Sequence, residues 1–343
     1  MARAIDLRLA EELLDSARRT SFRHKSRVPE GAGMTQPLRL SWPAQAVCLG
    51  ASMTAAEVEI AVYDLGSLCI TWSIDFDGSL QELAGLSASL YEHVELTASS
   101  HAIAAEVVAG LGAAVLEPRS SEHVEDYVIY QVEPVEGGVQ QLLEGSRAQL
   151  AQVLRAEVNG LSAQEIEDAL ANPVSYGEQD VCLIDWISAF LMGRDMKDER
   201  FVLELATVEL LAMRQLDFQL DQEIDEAHEL LTRPRKTWRV LTGQRRELEQ
   251  VARMQADGAF LHEGIDNALK LFGDDYLARL YRTAGVRYHF GDWDHSIQHK
   301  LDVLRSVYQS LADSAAHRRA ELLEWIIIVL IAVDIVLYFT PLR

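Results

Sequence analysis

The sequence contains few cysteines and few glycine-rich motifs, and each of these shortages excludes a class of protein. The three cysteines, Cys48, Cys69 and Cys182, form no Cys-x-x-Cys pair, and their spacings fit no zinc template. We therefore expect reduced, buried thiols in a reducing compartment. No phosphate-binding loop, nucleophile elbow or kinase motif set occurs, and Gly110-Leu-Gly112 lacks the third glycine of a dinucleotide fingerprint. The sequence predicts no catalytic residue and no cofactor.

Positive charge is also in short supply. The 343-residue chain has 31 lysines and arginines against 53 acidic residues, which gives a formal net charge of −22. A field of that sign repels phosphate backbones, so we do not expect the chain to bind nucleic acid. Hydrophobic residues make up 49% of the chain, which is enough for a packed core and excludes wholesale disorder.

The first half of the chain mixes helix and strand patterns. Residues 1–37 predict an N-terminal helix and a linker rich in serine, glycine, proline and basic residues. Alternating and continuous apolar runs between 38 and 192 predict strands, and Ser79 with Glu82 forms a capping box that opens a helix. Asp180–Phe190 has the pattern of one buried strand that returns to the first sheet. We therefore predict an α+β domain over 38–192.

Acidic residues also occur within that apolar pattern. Asp185, with Glu178 and Asp180 nearby, could belong to a carboxylate cluster. An edge-strand acid or a hydrogen-bonded structural aspartate is the better interpretation of Asp185.

A helical, coiled-coil-like domain is predicted over 193–320. From 198 to about 231, apolar residues recur at spacings of three and four with one polar member, Asp217. A helix of that length extends about 50 Å and needs a partner helix, from this chain or from another subunit. Pro234 ends it, and a second helix from about Lys236 to Leu271 can fold back antiparallel. The residues predicted to join subunits of a homo-oligomer are Leu203, Leu210, Asp217, Leu220, Ile224, Leu301, Leu304 and Leu311.

The terminal segment, 321–340, is predicted to be a transmembrane helix. Leu322–Phe339 covers about 27 Å as a helix, close to the roughly 30 Å of a bilayer core. Asp334 inside it costs about 2.5–3.5 kcal/mol, which apolar neighbours at about 0.3–0.6 kcal/mol each can offset. The alternative is a buried helix of a soluble oligomer. If the segment spans the membrane, Asp334 is expected to be protonated or paired within a helix bundle and to contribute to self-association. The predicted anchor residues are Trp325, Ile326, Ile327, Ile328, Leu330, Asp334 and Tyr338.

The residues around this segment indicate an orientation. His317, Arg318 and Arg319 precede it, and the positive-inside rule keeps that side in the cytoplasm. No secretory signal opens the sequence, and few residues follow the segment. We therefore expect a tail-anchored, single-pass protein of the inner (cytoplasmic) membrane with its N-terminal domain in the cytoplasm.

A histidine pair gives an alternative function. His295 and His299 are four residues apart on one predicted helix face, the spacing of two metal-bound imidazoles, and Asp292 and Asp294 lie just upstream. No glutamate stands beside His295 as in the zincin motif, and no third ligand is fixed by spacing. Helix caps explain the two aspartates better. A membrane-associated, metal-dependent enzyme using this region is the alternative function.

The last residues resemble a known family. The stretch SIQHKLDVLRSVYQSL, followed by HRRAELLEWIIIVLIAVDIVLYF, is similar to the C-terminus of the DUF155 (RMD1/YagE) family. Lys300, Leu301 and Leu304 match its KLxxL-like part, and Asp334 takes the place of its acidic residue. The resemblance implies a membrane-anchored, oligomeric protein with no established enzymatic activity. The predicted function is a non-enzymatic oligomeric scaffold or assembly factor with an acidic head facing the cytosol.

Overall fold

The structure, a computed structural model, is of a mixed α/β protein. It describes residues 2–14, 37–118, 124–135, 137–232 and 275–339. Most of the predicted linker and the predicted helix from Lys236 to Leu271 lie outside these residues. The chain divides into two compact units. The first unit is Met1–Gln215 with Leu261–Asp292, and the second is Leu216–Phe260 with Trp293–Arg343.

The strands all lie in the first unit, within the described part of the chain. In chain order they are β1 (Ala2–Ile5), β2 (Leu38–Pro43), β3 (Cys48–Leu49), β4 (Ser52–Val62), β5 (Leu68–Ile74), β6 (Val115–Pro118), β7 (Val128–Val132), β8 (Val181–Ile184) and β9 (Ser188–Met192). The long strand β4 pairs antiparallel with β2, β3 and β5, and β1 pairs antiparallel with β6. A third sheet has the order β7-β9-β8, with β7 parallel and β8 antiparallel to β9.

The helices begin where the sequence supplies caps. The Ser79–Glu82 capping box is confirmed: the side chain of each residue bonds the backbone nitrogen of the other. Asp6 and Ser162 cap two further helices through half of this arrangement. The side chain of each accepts a hydrogen bond from backbone nitrogen in the first turn of its helix. The helices are α1 (Leu7–Leu13), α2 (Leu80–Leu90), α3 (Val94–Leu111), α4 (Gly138–Gly145), α5 (Arg147–Leu154), α6 (Ala163–Ala169), α7 (Lys197–Thr232), α8 (Asp275–Arg287) and α9 (Phe290–Phe339).

Apolar alternation on the strands builds two main cores in the first unit. One core lies between the β2–β4–β5 sheet and helices α1 and α3, and it includes residues from β1. Its fully buried members include Leu40, Ile60, Val107 and Leu111. The other core joins α2 and α5 to the β7–β9–β8 sheet, whose strands β8 and β9 are buried along their whole length.

The single strand predicted at Asp180–Phe190 is wrong, because this stretch forms the β8–β9 hairpin in the third sheet. The chain reverses at Asp185, whose backbone N–H donates to the Ser188 carbonyl oxygen at 2.9 Å. The turn residues include no glycine, proline or asparagine, and the turn signals that are present, Asp185 and Ser188, stand inside a continuous apolar run.

The prediction of a transmembrane helix at 321–340 is also wrong. Among the residues that the structure describes, no helix is long and apolar enough to cross a membrane. A physical reason is the pair of carboxylates at Glu324 and Asp334. The uncharged stretch between them, Trp325–Val333, has nine residues, about 14 Å of helix against roughly 30 Å of hydrocarbon. The predicted location, a tail-anchored, single-pass protein of the inner membrane, depended on this helix and is therefore wrong as well.

Candidate functional site

Polar side chains join α7 to α9 within the second unit. The Ser296 hydroxyl donates to Asp217 Oδ1 at 2.8 Å, and Lys300 Nζ lies 2.8 Å from the same oxygen and 2.7 Å from Asp221 Oδ1. We call these four residues the interhelical clamp. Burial lowers the pKa of Lys300, but its bonds to the two aspartates outweigh burial and leave the pKa raised. The one polar residue of the predicted seam, Asp217, therefore pairs inside its own chain.

The apolar residues predicted to join subunits lie mostly inside the chain. Ile224 is half-buried, and the Leu311 side chain lies outside the described residues. Five leucines are buried: Leu203, Leu210, Leu220, Leu301 and Leu304. Because these side chains are already covered, they offer no surface to a second chain. Subunit association stays a prediction, and it depends on the residues that are exposed.

The last part of α9 exposes a run of apolar side chains, which we call the apolar end of α9. Their exposed fractions lie between 49% and 65%. The members are Leu323, Trp325, Ile326, Ile327, Ile328, Val329, Leu330, Ile331 and Val333. Since an α-helix has 3.6 residues per turn, the continuous run Trp325–Val333 is apolar on every side. Asp334 is exposed at its end, and the Tyr338 side chain lies outside the described residues.

The histidine pair gains no further ligand in the described part of the chain. His295 and His299 are both exposed on α9. In the residues that the structure describes, no three histidine, cysteine, aspartate or glutamate side chains are placed to hold a metal ion. Asp292 lies in the first turn of α9, which begins earlier than the predicted start near Asp294. A carboxylate there interacts favourably with the positive end of the helix dipole.

A buried charge network in the first unit was not visible in the sequence. Arg39 Nη1 lies 2.6 Å from Glu59 Oε1, and Arg39 Nη2 lies 2.9 Å from Glu204 Oε1. The Tyr63 hydroxyl donates to the same Glu204 oxygen at 2.5 Å, and Arg200 reaches Glu59 Oε2 at 3.2 Å. Burial, followed by the charge of Glu204, raises the pKa of Tyr63 well above its usual value. The network ties β2 and β4 to α7.

Asp185 is a structural aspartate at the β8–β9 turn. Its side chain is 3% exposed, and Oδ2 lies 2.6 Å from Arg155 Nε, while Arg287 Nη1 is 3.9 Å from Oδ1. Burial raises the pKa of Asp185, although the Trp186 backbone N–H and the two arginines act in the opposite direction. Both arginines also pair with Asp168. The turn is therefore fixed by ion pairs from the residue that follows α5 and from the last residue of α8.

A buried acid on α7 pairs with an uncharged side chain in the described part of the chain. Glu209 is 2% exposed, and it accepts a hydrogen bond from the Tyr281 hydroxyl of α8. Burial raises the pKa of Glu209 to about 8. The side chain is thus mainly protonated at neutral pH, and its neutral form joins α7 to α8.

The described strands and helices define a mixed α/β protein, and comparison with known proteins places the chain in a family. The family model "Uncharacterized protein MJ0711, N-terminal domain" matches residues 1–199, more than half of the chain. The chain therefore belongs to this family. It is 22% identical over 198 residues to "Uncharacterized protein MJ0711" of Methanocaldococcus jannaschii. That match covers 57% of this chain and 60% of the relative's length.

No solved structure matches the chain. The DUF155 resemblance is wrong, because the matching family and the relative are both of the MJ0711 type. The resemblance depended on a stretch near the C-terminus that is rich in leucine and other aliphatic residues. Many unrelated helices have this composition. The family match lies instead at 1–199, and it does not reach the apolar end of α9.

Proposed function

We propose that this protein is an oligomeric scaffold or assembly factor whose copies associate through the apolar end of α9. The observation that carries the proposal is the run of nine large apolar side chains, each 49–65% exposed. Soluble monomers rarely show a continuous apolar patch of more than a few hundred Å². A helix that is apolar on every side needs apolar neighbours on every side.

A second copy of this chain is the occupant that fits best. Between Glu324 and Asp334 the helix carries no charge, so its partner must be an apolar helix or surface of similar length. Every other copy of the chain carries such a helix, so a suitable partner is present wherever the protein itself is present. The two acids mark the ends of the interface, since like charges of neighbouring copies repel unless water solvates them.

The energy of burial favours more than two copies. Covering the remaining half of each side chain contributes about 1 kcal/mol, or about 9 kcal/mol for the nine. Association costs about 4–15 kcal/mol, so a dimer that covers one face of each helix is marginal. A bundle of about three or more copies covers the remaining faces, and we propose this arrangement.

Matched variants on α9 test the proposal. Ile327→Asp with Leu330→Asp places two charges in the apolar end. Ser306→Asp with Gln309→Asp adds the same charges at the same spacing, where both side chains are already exposed. The measurement is the mass by light scattering, in buffer without detergent, against 38.3 kDa for one chain.

We expect the wild type and the Ser306/Gln309 variant to have the mass of about three copies or more, and the Ile327/Leu330 variant to be a monomer. A monomeric wild type would overturn the proposal. So would a wild type whose mass rises only when lipid vesicles or detergent are added, because the apolar end would then bind a ligand other than its own copies.

A further inference from the structure

A polar groove lies in the first unit, and none of its lining residues belongs to the apolar end of α9. It has a volume of about 570 Å³ and lies between α8 and the loop that follows α6. Its lining residues are Asn172, Pro173, Val174, Ser175, Arg279, Arg282 and Thr283. A groove of this size falls within the usual range for small-molecule sites, about 300–1,000 Å³.

Both walls of the groove are fixed by contacts to β8. In the loop, Val174 exchanges two backbone hydrogen bonds with Cys182, at 3.0 and 2.8 Å. On the helix, the Tyr276 hydroxyl lies 3.5 Å from the Cys182 sulfur, and the Tyr276 ring packs edge-on against Tyr176 with centroids 5.3 Å apart. A site that is already in place loses less conformational entropy on binding.

Within the residues that the structure describes, the two positive charges of the groove share one weak ionic partner. Arg279 Nε is 3.8 Å and Arg282 Nη2 is 3.5 Å from Asp275, distances long for an arginine–carboxylate bond. Asp275 is 84% exposed, so water screens this interaction. The Arg282 Nε donates to the Ala278 carbonyl oxygen at 3.1 Å. Two arginines, three residues apart on α8, therefore line the same groove.

We propose that this groove binds a small molecule that carries a phosphate group. Arg279 and Arg282 would each donate to phosphate oxygens, and the facing loop would add the Ser175 hydroxyl and the Asn172 amide. A single guanidinium can satisfy both oxygens of a carboxylate, whereas two of them suit the three free oxygens of a phosphate monoester. The net charge of −22 disfavours polyphosphate chains and nucleic acid, so the ligand is small.

Titration calorimetry with inorganic phosphate, at constant ionic strength, tests this site on the full chain. The variant is Arg279→Gln with Arg282→Gln. Arg147→Gln is the control, because Arg147 is an exposed arginine that does not line the groove. Both groove arginines are more than half exposed, so their removal should leave the fold intact, and melting without phosphate checks this.

We expect saturable binding to the wild type and to the Arg147 variant, with affinity falling about tenfold for each guanidinium removed from the groove. Equal affinity in the groove variant, or no saturable heat with the wild type, would overturn the proposal. Succinate serves as the carboxylate probe, and binding as tight as that of phosphate would overturn the phosphate assignment. This test does not depend on the oligomeric state, so the phosphate site can be refuted while the proposed function stands.

Discussion

Replacing Glu209 with glutamine should stabilise the fold, and by more as the pH rises. Burial raises the pKa of Glu209 to about 8, whereas an unfolded glutamate titrates near its ordinary value of about 4.3. Between these values the folded chain holds a proton that the unfolded chain releases. Stability linked to this proton is therefore complete below about pH 4 and is lost as the pH rises towards 8.

The magnitude follows from proton linkage. Each pH unit in this window removes about 1.4 kcal/mol from the free energy of unfolding, so the wild type loses about 4 kcal/mol between pH 5 and pH 8. Solvent screening does not reduce this value much, because Glu209 is only 2% exposed. Glutamine has the same shape, cannot ionise, and its carbonyl oxygen still accepts from the Tyr281 hydroxyl.

Urea denaturation of the wild type and Glu209→Gln at pH 5, 6, 7 and 8 measures this difference. Glu167→Gln is the control, since Glu167 is an exposed glutamate on α6. We expect the stability gap between Glu209→Gln and the wild type to widen steadily with pH, and Glu167→Gln to follow the wild type. A gap that stays constant across the four pH values would refute the assignment of a protonated, buried Glu209.

Three other substitutions or deletions test the packing. Ala156 has a left-handed φ of 52° in the Schellman motif after α5, so Ala156→Gly should raise the free energy of unfolding in urea by about 1 kcal/mol; a loss would contradict the strain. Removing residues 2–14 exposes part of the first core and should cost about 6 kcal/mol, seen as a lower melting temperature; unchanged melting would show that β1 and α1 are dispensable. Lys300→Met leaves Asp217 without its cation and should cost about 3 kcal/mol, seen as faster hydrogen exchange in α9, with Lys300→Arg as the control; equal exchange in both would refute the clamp.

Local signals in the sequence were enough for parts of the fold. The capping box at Ser79 depends on residues three positions apart, and it is present in the structure. The long helix predicted from 198 to about 231 extends over Lys197–Thr232. Such patterns depend on neighbours along the chain, so one sequence contains them completely.

Contacts between distant residues could not be predicted in this way. Arg39 meets Glu204 across 165 positions, and Tyr63 meets the same glutamate across 141. Asp217 interrupts the heptad seam, but only the fold shows that Lys300 balances its charge. For the last helix, hydropathy alone led to the wrong prediction of a membrane-spanning segment. There, the spacing of Glu324 and Asp334 matters more than the mean hydropathy.

Sedimentation equilibrium of the full chain, over a hundredfold range of concentration and without detergent or lipid, tests the central claim most directly. If copies associate through the apolar end of α9, the mass should fall reversibly from about three copies or more towards 38.3 kDa as the protein is diluted. A single species of 38.3 kDa at every concentration would contradict self-association through this helix.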